Sequence, residues 1–313
     1  MQYDLVIVGG GPGGVAAGVY AARKKIKTLL ITEDFGGQSL VSADVQNWIG
    51  MKSVSGFDLG RMLEEHLRAQ EDIDIEVGDR VKEVKDQGEA FAVHTERGKT
   101  LETKYLLVVS GSRRRKLGVP GEIEYNGNGV AYCSICDAPL FKGKTVAVVG
   151  GGNAGLEAVV DLLPYASRIF LLASSTVKGD PITQAKVKAD PKVEIITRAK
   201  TQEIIGGESV TGLRYLDTEA NIEKKIELQG VFVEIGAEPN SEFIKGLVEL
   251  NERGEITVDH KTQQSSHPRI WAAGDVSDVL YKQNNISAGD GVKAALAAYA
   301  YILQRKKTSP AAG

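Results

Sequence analysis

Both cysteines of this 313-residue chain fall in one pentapeptide, Cys133-Ser134-Ile135-Cys136-Asp137, just upstream of the second of two glycine-rich loops. A Cys-x-x-Cys pair opens and closes a disulfide with little chain movement, and a thiolate near a helix N-terminus is stabilised by the local positive dipole. Placed beside a dinucleotide-type loop, such a dithiol suggests electron transfer to disulfides. Two other readings stay open. Zinc wants four ligands, and only His66, His94, His260 and His267 are left to complete a set; none is suitably spaced, so no metal site is expected. Two buried, inert cysteines would both have to point into a core from positions so close in the chain.

The elements that position this pair come from an internal repeat. Leu5-Val6-Ile7-Val8 runs into Gly9-Gly10-Gly11-Pro12-Gly13-Gly14, and Val146-Ala147-Val148-Val149 runs into Gly150-Gly151-Gly152-Asn153-Ala154-Gly155. Each is strand, glycine loop, helix. The helices are expected over Val15 to Lys25 and Leu156 to Leu163, and the next strands at Thr28-Leu29-Leu30-Ile31 and Ile169-Phe170-Leu171-Leu172, making two βαβ units. A single G-x-G-x-x-G is weak in a chain with 36 glycines, but two copies in the same context are strong. The first glycine (Gly9, Gly150) permits the tight turn, the second (Gly11, Gly152) lets backbone approach a pyrophosphate, and the third (Gly14, Gly155) lets helix pack on strand. Pro12 and Asn153 lie within the loops, and each helix N-terminus faces the phosphates.

Phe91-Ala92-Val93-His94-Thr95 and Tyr105-Leu106-Leu107-Val108-Val109 are expected strands around a turn at Arg97-Gly98-Lys99. Gly118-Val119-Pro120-Gly121 breaks the pattern and is a plausible inter-domain hinge. The run Gly230 to Gly236 ends in Ala237-Glu238-Pro239-Asn240, where the return crossing is expected. The tail from Lys306 to Gly313 is expected to fray.

The net charge of -3 and pI near 5.9 argue against nucleic acid as a partner. Arg113-Arg114-Arg115-Lys116 is the longest unbroken basic run and reads as a solvated connector. No secretory signal is visible before the first strand, and no stretch reaches the roughly 18 apolar residues of a membrane span. The expectation is a cytoplasmic protein with no membrane partner, in which a lone Cys-x-x-Cys reads as catalytic. Its length favours two domains.

Further motifs carry a resemblance that covers nearly the whole chain. Gly36-Gly37-Gln38 and Gln46-Asn47-Trp48-Ile49-Gly50, Val119-Pro120-Gly121-Glu122, Gly129-Val130-Ala131-Tyr132-Cys133, the run Gly143 to Ala158 with Glu157 inside it, Trp271-Ala272-Ala273-Gly274-Asp275 and Tyr281-Lys282-Gln283 together resemble the low-molecular-weight thioredoxin reductases. Within that family they look closest to the reductase core of the alkyl hydroperoxide reductase flavoprotein.

The resemblance implies an α/β fold of two Rossmann-like dinucleotide-binding domains, each of the three-layer β/β/α type. A nicotinamide-nucleotide domain over 118–235 would be inserted into an FAD domain made of 1–117 and 236–313. FAD would be held by the first loop, by Gly37, Gln38 and Asn47, and by Gly274, Asp275, Lys282 and Gln283. Glu33 would take the ribose hydroxyls. A helix starting near Ser287-Ala288-Gly289 would turn its positive end to the isoalloxazine, with Ala288 in its first turn. Glu33 as a surface acid, Gly274-Asp275 as an ordinary turn and Asp137 as a helix cap are the plainer alternatives.

For the chemistry, the family order places Cys136 next to the flavin and Cys133 as the thiol that attacks the substrate disulfide, with Asp137 as proton donor and acceptor. It also implies a homodimer, and a swing between domains with Val119-Pro120-Gly121 as one hinge. The second loop would hold NADPH or NADH. NADPH-using relatives carry a His-Arg-Arg cluster after the second strand of that domain and NADH-using ones an acid; here the stretch is Ala173-Ser174-Ser175-Thr176. Ser174 and Ser175 suit a 2′-phosphate or a ribose, with Lys178 nearby, and equally suit a plain loop. The expected activity is a thioredoxin-disulfide reductase acting on a thioredoxin or glutaredoxin-like protein. A ferredoxin-linked reductase with the same dithiol and a non-enzymatic FAD-binding redox sensor are the alternatives.

Overall fold

Leu5-Val6-Ile7-Val8 is apolar at successive positions, and because strand side chains alternate, both faces of this strand need cover. The fold answers that demand twice. The computed structural model describes residues 2–42 and 44–308. It comprises two compact units, Met1–Arg113 with Glu238–Gly313, and Arg114–Ala237. The second unit thus begins at Arg114 rather than at Gly118, and the chain leaves it after Ala237 rather than before Gly236.

In chain order the first unit opens with β1 (Gln2–Val8), α1 (Pro12–Arg23), β2 (Thr28–Thr32), α2 (Gly56–Arg68) and β3 (Ile73–Val77). It continues through β4 (Val81–Asp86), β5 (Phe91–Thr95), β6 (Thr100–Val108) and β7 (Ser112–Arg114). The second unit holds β8 (Val130–Ala131), α3 (Ser134–Asp137), β9 (Thr145–Val149), α4 (Asn153–Leu162), β10 (Arg168–Leu172), α5 (Pro181–Ala189) and β11 (Val193–Ile196). Then come β12 (Ala199–Gly206), β13 (Val210–Asp217), β14 (Ile222–Glu227) and β15 (Gly230–Val233). The return to the first unit is β16 (Ala237–Pro239), followed by β17 (Val258–Asp259), β18 (Gln264–Ser265), β19 (Ile270–Ala272) and α6 (Asn284–Thr308).

In the first unit β19, β6, β1, β2 and β3 lie side by side and parallel. β6 is long enough to pair with β5 along its first half and with β19 along its second. Val6, Val8, Leu29 and Ile31 face one core with Val84, Phe91 and Val93 of the β4–β5 hairpin. Leu5, Ile7 and Leu30 face another core with Val15 and Val19 of α1 and Ala294, Ala295 and Ala298 of α6. That is a β/β/α stack.

The second unit repeats the solution. Its parallel sheet runs β11-β10-β9-β15-β8. Ala147, Val149, Phe170 and Leu172 face Ile204, Leu213 and Tyr215 of the antiparallel β12–β13–β14 sheet. Val146, Val148, Ile169 and Leu171 face Leu156, Val159 and Leu162 of α4. The expected α/β class with two Rossmann-like three-layer domains is the observed one.

Four expectations need correction in detail. The helices begin at Pro12 and Asn153, each three residues earlier than expected; at Pro12 the reason is that Pro suits the first helical position, where its missing N–H has no partner anyway. α6 begins at Asn284, ahead of Ser287. It continues to Thr308, into the tail expected to fray, while 309–313 lie outside the described residues. Gly118 to Gly121 is not the crossing. Buried Glu122 accepts from Leu117 N at 2.9 Å, Gly118 N at 2.8 Å and Tyr132 Oη at 2.9 Å, and Pro120 O accepts from Ile204 N, so this segment is tied into the second unit.

The chain instead crosses within β7 and β16, which pair with each other. The basic cluster there is not merely solvated: Arg113 pairs with Glu238 and Glu242, and Arg114 with Glu234. Among the described residues no helix is long and apolar enough to cross a membrane.

Glu122→Ala would strand three donors around a side chain that is 1% exposed. A loss of about 2–3 kcal/mol is expected, read as a lower urea midpoint with unchanged slope. A loss below about 0.5 kcal/mol, the range of ordinary surface substitutions, would show that the 117–122 segment is held by something else.

Candidate functional site

The first glycine loop joins the end of β1 to α1. Gly9 has φ +118°, and a Cβ on it would strike the Val109 carbonyl; a Cβ on Gly14 would strike Gly9 O. Gly11 differs, since a Cβ there meets nothing within 4 Å. The loop therefore packs tightly against its own sheet at its two ends and is open in the middle, the arrangement a pyrophosphate needs. Gly36 N donates to Gly10 O, so the Gly36-Gly37-Gln38 turn is folded against the same loop. Glu33 follows β2 directly and is ion-paired with Arg80.

Around the start of α6 several distant segments meet. Gln38 Nε2 donates to Ser112 Oγ at 3.0 Å and to Asp275 Oδ2 at 3.2 Å. Ser287 Oγ donates to Asp275 Oδ1 at 3.4 Å, and Lys282 Nζ to the Asp275 and Ser277 carbonyls while pairing with Glu255 at 2.9 Å. Asn47 Nδ2 donates to Gln283 Oε1 at 3.3 Å, and Asn285 Nδ2 to Asn47 O at 2.7 Å. Gly274, with φ +70°, has Ser287 Oγ only 2.9 Å from where a Cβ would be. Gln38, Asn47, Gly274, Asp275, Lys282, Gln283 and Ala288 thus gather at one helix end, whose unpaired N–H groups favour negative charge.

In the second unit Gly150 has φ +148°; its Cβ would strike Glu234 O, and that of Gly155 would strike Gly150 O. Gly152 again opens on free space. Asn153 Oδ1 accepts from Asp180 N at 2.7 Å, tying the loop to the segment after β10. There Ala173 is buried, Ser174 and Ser175 are exposed, and Arg198 N donates to Ser175 O. Glu157 lies on the second turn of α4, beside the same loop.

Cys133 and Cys136 are joined as a disulfide with Cα atoms 5.3 Å apart. Cys133 caps α3: its Sγ accepts from Cys136 N at 3.3 Å and its carbonyl from Asp137 N at 3.0 Å. Burial pushes the Asp137 carboxyl up to about 6, so it exchanges a proton near neutral pH. Ser134 Oγ donates to Asp161 Oδ2 of α4 at 2.7 Å, fixing α3 against that helix. Among the described residues no three His, Cys, Asp or Glu side chains come together to hold a metal ion.

Sequence reasoning missed Ser112, Asn285 and Arg80 in the first unit and Asp161 and Glu234 in the second, and it read Arg114 only as part of a solvated connector. Most carry no local signal, since each acts on a partner far along the chain. Glu234 did carry one: an acid inside the apolar run Val231-Phe232-Val233-Glu234-Ile235.

Two outcomes follow from this geometry. Gly11→Ala and Gly152→Ala should each leave unfolding within about 0.5 kcal/mol of the parent, since the added methyl meets no protein atom. Each should weaken binding of the dinucleotide at its own loop about tenfold, from the roughly 1–3 kcal/mol of a misplaced methyl; unchanged affinity would disprove the cradle. For Asp137, the folded state holds the proton more tightly than the unfolded one. The stability that this gives is present below about pH 4 and lost as pH rises through about 6. Asp137→Asn should therefore gain stability relative to the parent across that window in denaturation experiments, and a difference that does not change with pH would refute the burial assignment.

Comparison with known proteins agrees with this geometry. Residues 3–299 match the pyridine nucleotide-disulphide oxidoreductase family. A subunit of Pseudomonas aeruginosa alkyl hydroperoxide reductase is 46% identical over 306 residues, 96% of this chain and 58% of that protein. A Bacillus subtilis protein named NADH dehydrogenase is 43% identical over 303 residues, 96% of this chain and 59% of its own length. The chain thus spans 58–59% of the length of these curated relatives. Among solved structures, thioredoxin reductase from Streptococcus pyogenes superposes with a TM-score of 0.89 at 29% identity, covering 97% of this chain and 99% of that one. The family's cofactors are FAD and NAD(P)H, and the two open glycine cradles suit both. With its fold, its paired loops and its redox disulfide in one sequence, the chain belongs to the pyridine nucleotide-disulphide oxidoreductase family.

Proposed function

We propose that this chain is a flavin-dependent disulfide reductase that passes electrons from NAD(P)H, through FAD and the Cys133–Cys136 pair, to the disulfide of a small protein such as thioredoxin. The observation that carries the reading is the disulfide at the head of α3 with the proton-exchanging Asp137 beside it. FAD would be held by Gly9, Gly11, Pro12 and Gly14, with Glu33 toward the ribose and the cluster around Asp275 at the start of α6. The nicotinamide nucleotide would be held by Gly150, Gly152, Asn153 and Gly155, with Glu157 and the Ser174-Ser175 turn as further contacts. Bound FAD supplies hydride acceptance from the reduced nicotinamide and delivery of an electron pair to a disulfide.

The chain's own residues do the rest. The Cys133 thiolate attacks a sulfur of the acceptor disulfide, forming a mixed disulfide and releasing one acceptor sulfur as a thiolate, which takes a proton from Asp137. Asp137, now a carboxylate, takes the proton of the Cys136 thiol; the Cys136 thiolate then attacks Sγ of Cys133, re-forming the internal bond and releasing the second acceptor sulfur as a thiolate, which takes that proton from Asp137. Capping by Cys133 at the start of α3 keeps both sulfurs close enough for this step without chain movement.

The test is anaerobic. FAD-loaded protein is mixed with NADPH and, separately, with NADH while the flavin absorbance is followed; rapid bleaching by one of them identifies the donor, and no bleaching by either overturns the nucleotide assignment. Cys136→Ser should keep that bleaching and lose turnover of thioredoxin disulfide by at least about a thousandfold, as removal of a residue that makes the covalent intermediate does. Turnover that survives the substitution would sink the dithiol relay.

A further inference from the structure

The dithiol cycle leaves one buried acid next to α3 unused. Glu234 is 8% exposed and stands directly after β15, whose neighbour β8 leads into Cys133. The register Val231 to Val130 and Phe232 to Ala131, continued along the strands, brings Glu234 level with Cys133. Its carboxylate accepts from the Ser134 N–H at the head of α3 and faces the Arg114 guanidinium of β7 at 3.9 Å. Asp161 and Glu157 of α4 approach as like charges, and Ser134 Oγ is held by Asp161. Asp137 is the other proton-exchanging group on α3 itself.

Burying a carboxylate is costly unless it is paired, and an apolar residue would continue the Val231-Phe232-Val233 run at no such cost. At 3.9 Å a single guanidinium compensates only in part. Burial, the largest influence, pushes the Glu234 carboxyl up to about 7, against the pull of Arg114 and of the Ser134 N–H. The group is therefore near the midpoint of its titration at neutral pH. A charge appearing at the head of α3 is well placed to move it.

We propose that Glu234 is a positioning residue for the redox pair, one that steadies the head of α3 through Ser134 and takes up a proton when the Cys133–Cys136 disulfide is reduced. Reduction breaks the sulfur–sulfur bond and adds two electrons. One sulfur takes a proton from solvent and becomes a thiol; the other remains a thiolate. The new negative charge raises the proton affinity of Glu234, and a second solvent proton settles on its carboxylate. Disulfide, carboxylate, two electrons and two protons thus become thiol, thiolate and carboxylic acid, and reoxidation returns both protons. The proposal rests on the dithiol cycle above, but not on which donor or acceptor serves it.

The experiment equilibrates the FAD-loaded protein with dithiothreitol redox buffers between about pH 6 and 8.5, either side of the Glu234 titration, and counts free thiols. It compares the parent with Glu234→Gln, which keeps the shape and an acceptor for the Ser134 N–H but cannot take a proton. Above about pH 7 the parent's reduction constant should fall more steeply than the variant's, the two diverging by up to about tenfold per pH unit for a full extra proton. Arg114→Met removes the cation that opposes protonation and should move the onset of that divergence to higher pH, which gives a second reading should Glu234→Gln fold poorly. Asp137 is present in all three proteins and cancels. Curves for all three that run parallel within twofold would overturn the proposal. A disulfide that dithiothreitol cannot reversibly reduce would overturn the dithiol cycle, and this inference with it.

Discussion

Twice in this chain a helix starts so close to the end of a strand that a carbonyl oxygen occupies the space a side chain would need: Gly9 O at Gly14 and Gly150 O at Gly155. The rest of the molecule follows from that contact. Because the helix is pressed onto the strand end, its first N–H groups and the carboxyl end of the parallel sheet open on the same small space, and Gly11 and Gly152 leave that space clear. The same contact seats α1 and α4 on the apolar faces whose other sides are closed by β4–β5 and by β12–β14.

This much was readable in the sequence, for a physical reason. Parallel strands buried on both faces are continuous apolar runs, and two runs followed by the same glycine spacing are hard to mistake for anything else. The crossing between units was not readable. β7 and β16 are Ser-Arg-Arg and Ala-Glu-Pro, too short and too polar to show any period, whereas Gly118 to Gly121 has every local mark of a break. What decides between them is Glu122, reaching back to two backbone N–H groups and across to Tyr132. The cluster at the head of α6 was legible only through family resemblance: Gln38, Asn47 and Asp275 have no pattern in common until the fold brings them together.

The disulfide centre shows how burial divides labour between like groups. Asp137 and Glu234 are both carboxyls raised by desolvation, but Asp137 lies on α3 after Cys136, whereas Glu234 meets the other end of that helix through Ser134 and is partly offset by a cation. A pair of acids set at opposite ends of four residues can respond separately to what happens between them.

The paired crossing strands also bear on how the chain reaches this structure. β6 and β19 are adjacent in the first unit's sheet, yet all of the second unit lies between them in sequence. During synthesis the first unit therefore has an incomplete sheet, with one flank of β6 waiting for a partner until the ribosome has finished the insertion. The ends of the second unit meet in the Arg115 N to Gly236 O bond, and once that unit has folded the gap to be closed is short. The entropic penalty of a very long loop then becomes that of a tight one. The connectivity thereby makes β19 a late arrival in the outer sheet, after the inner unit has been made.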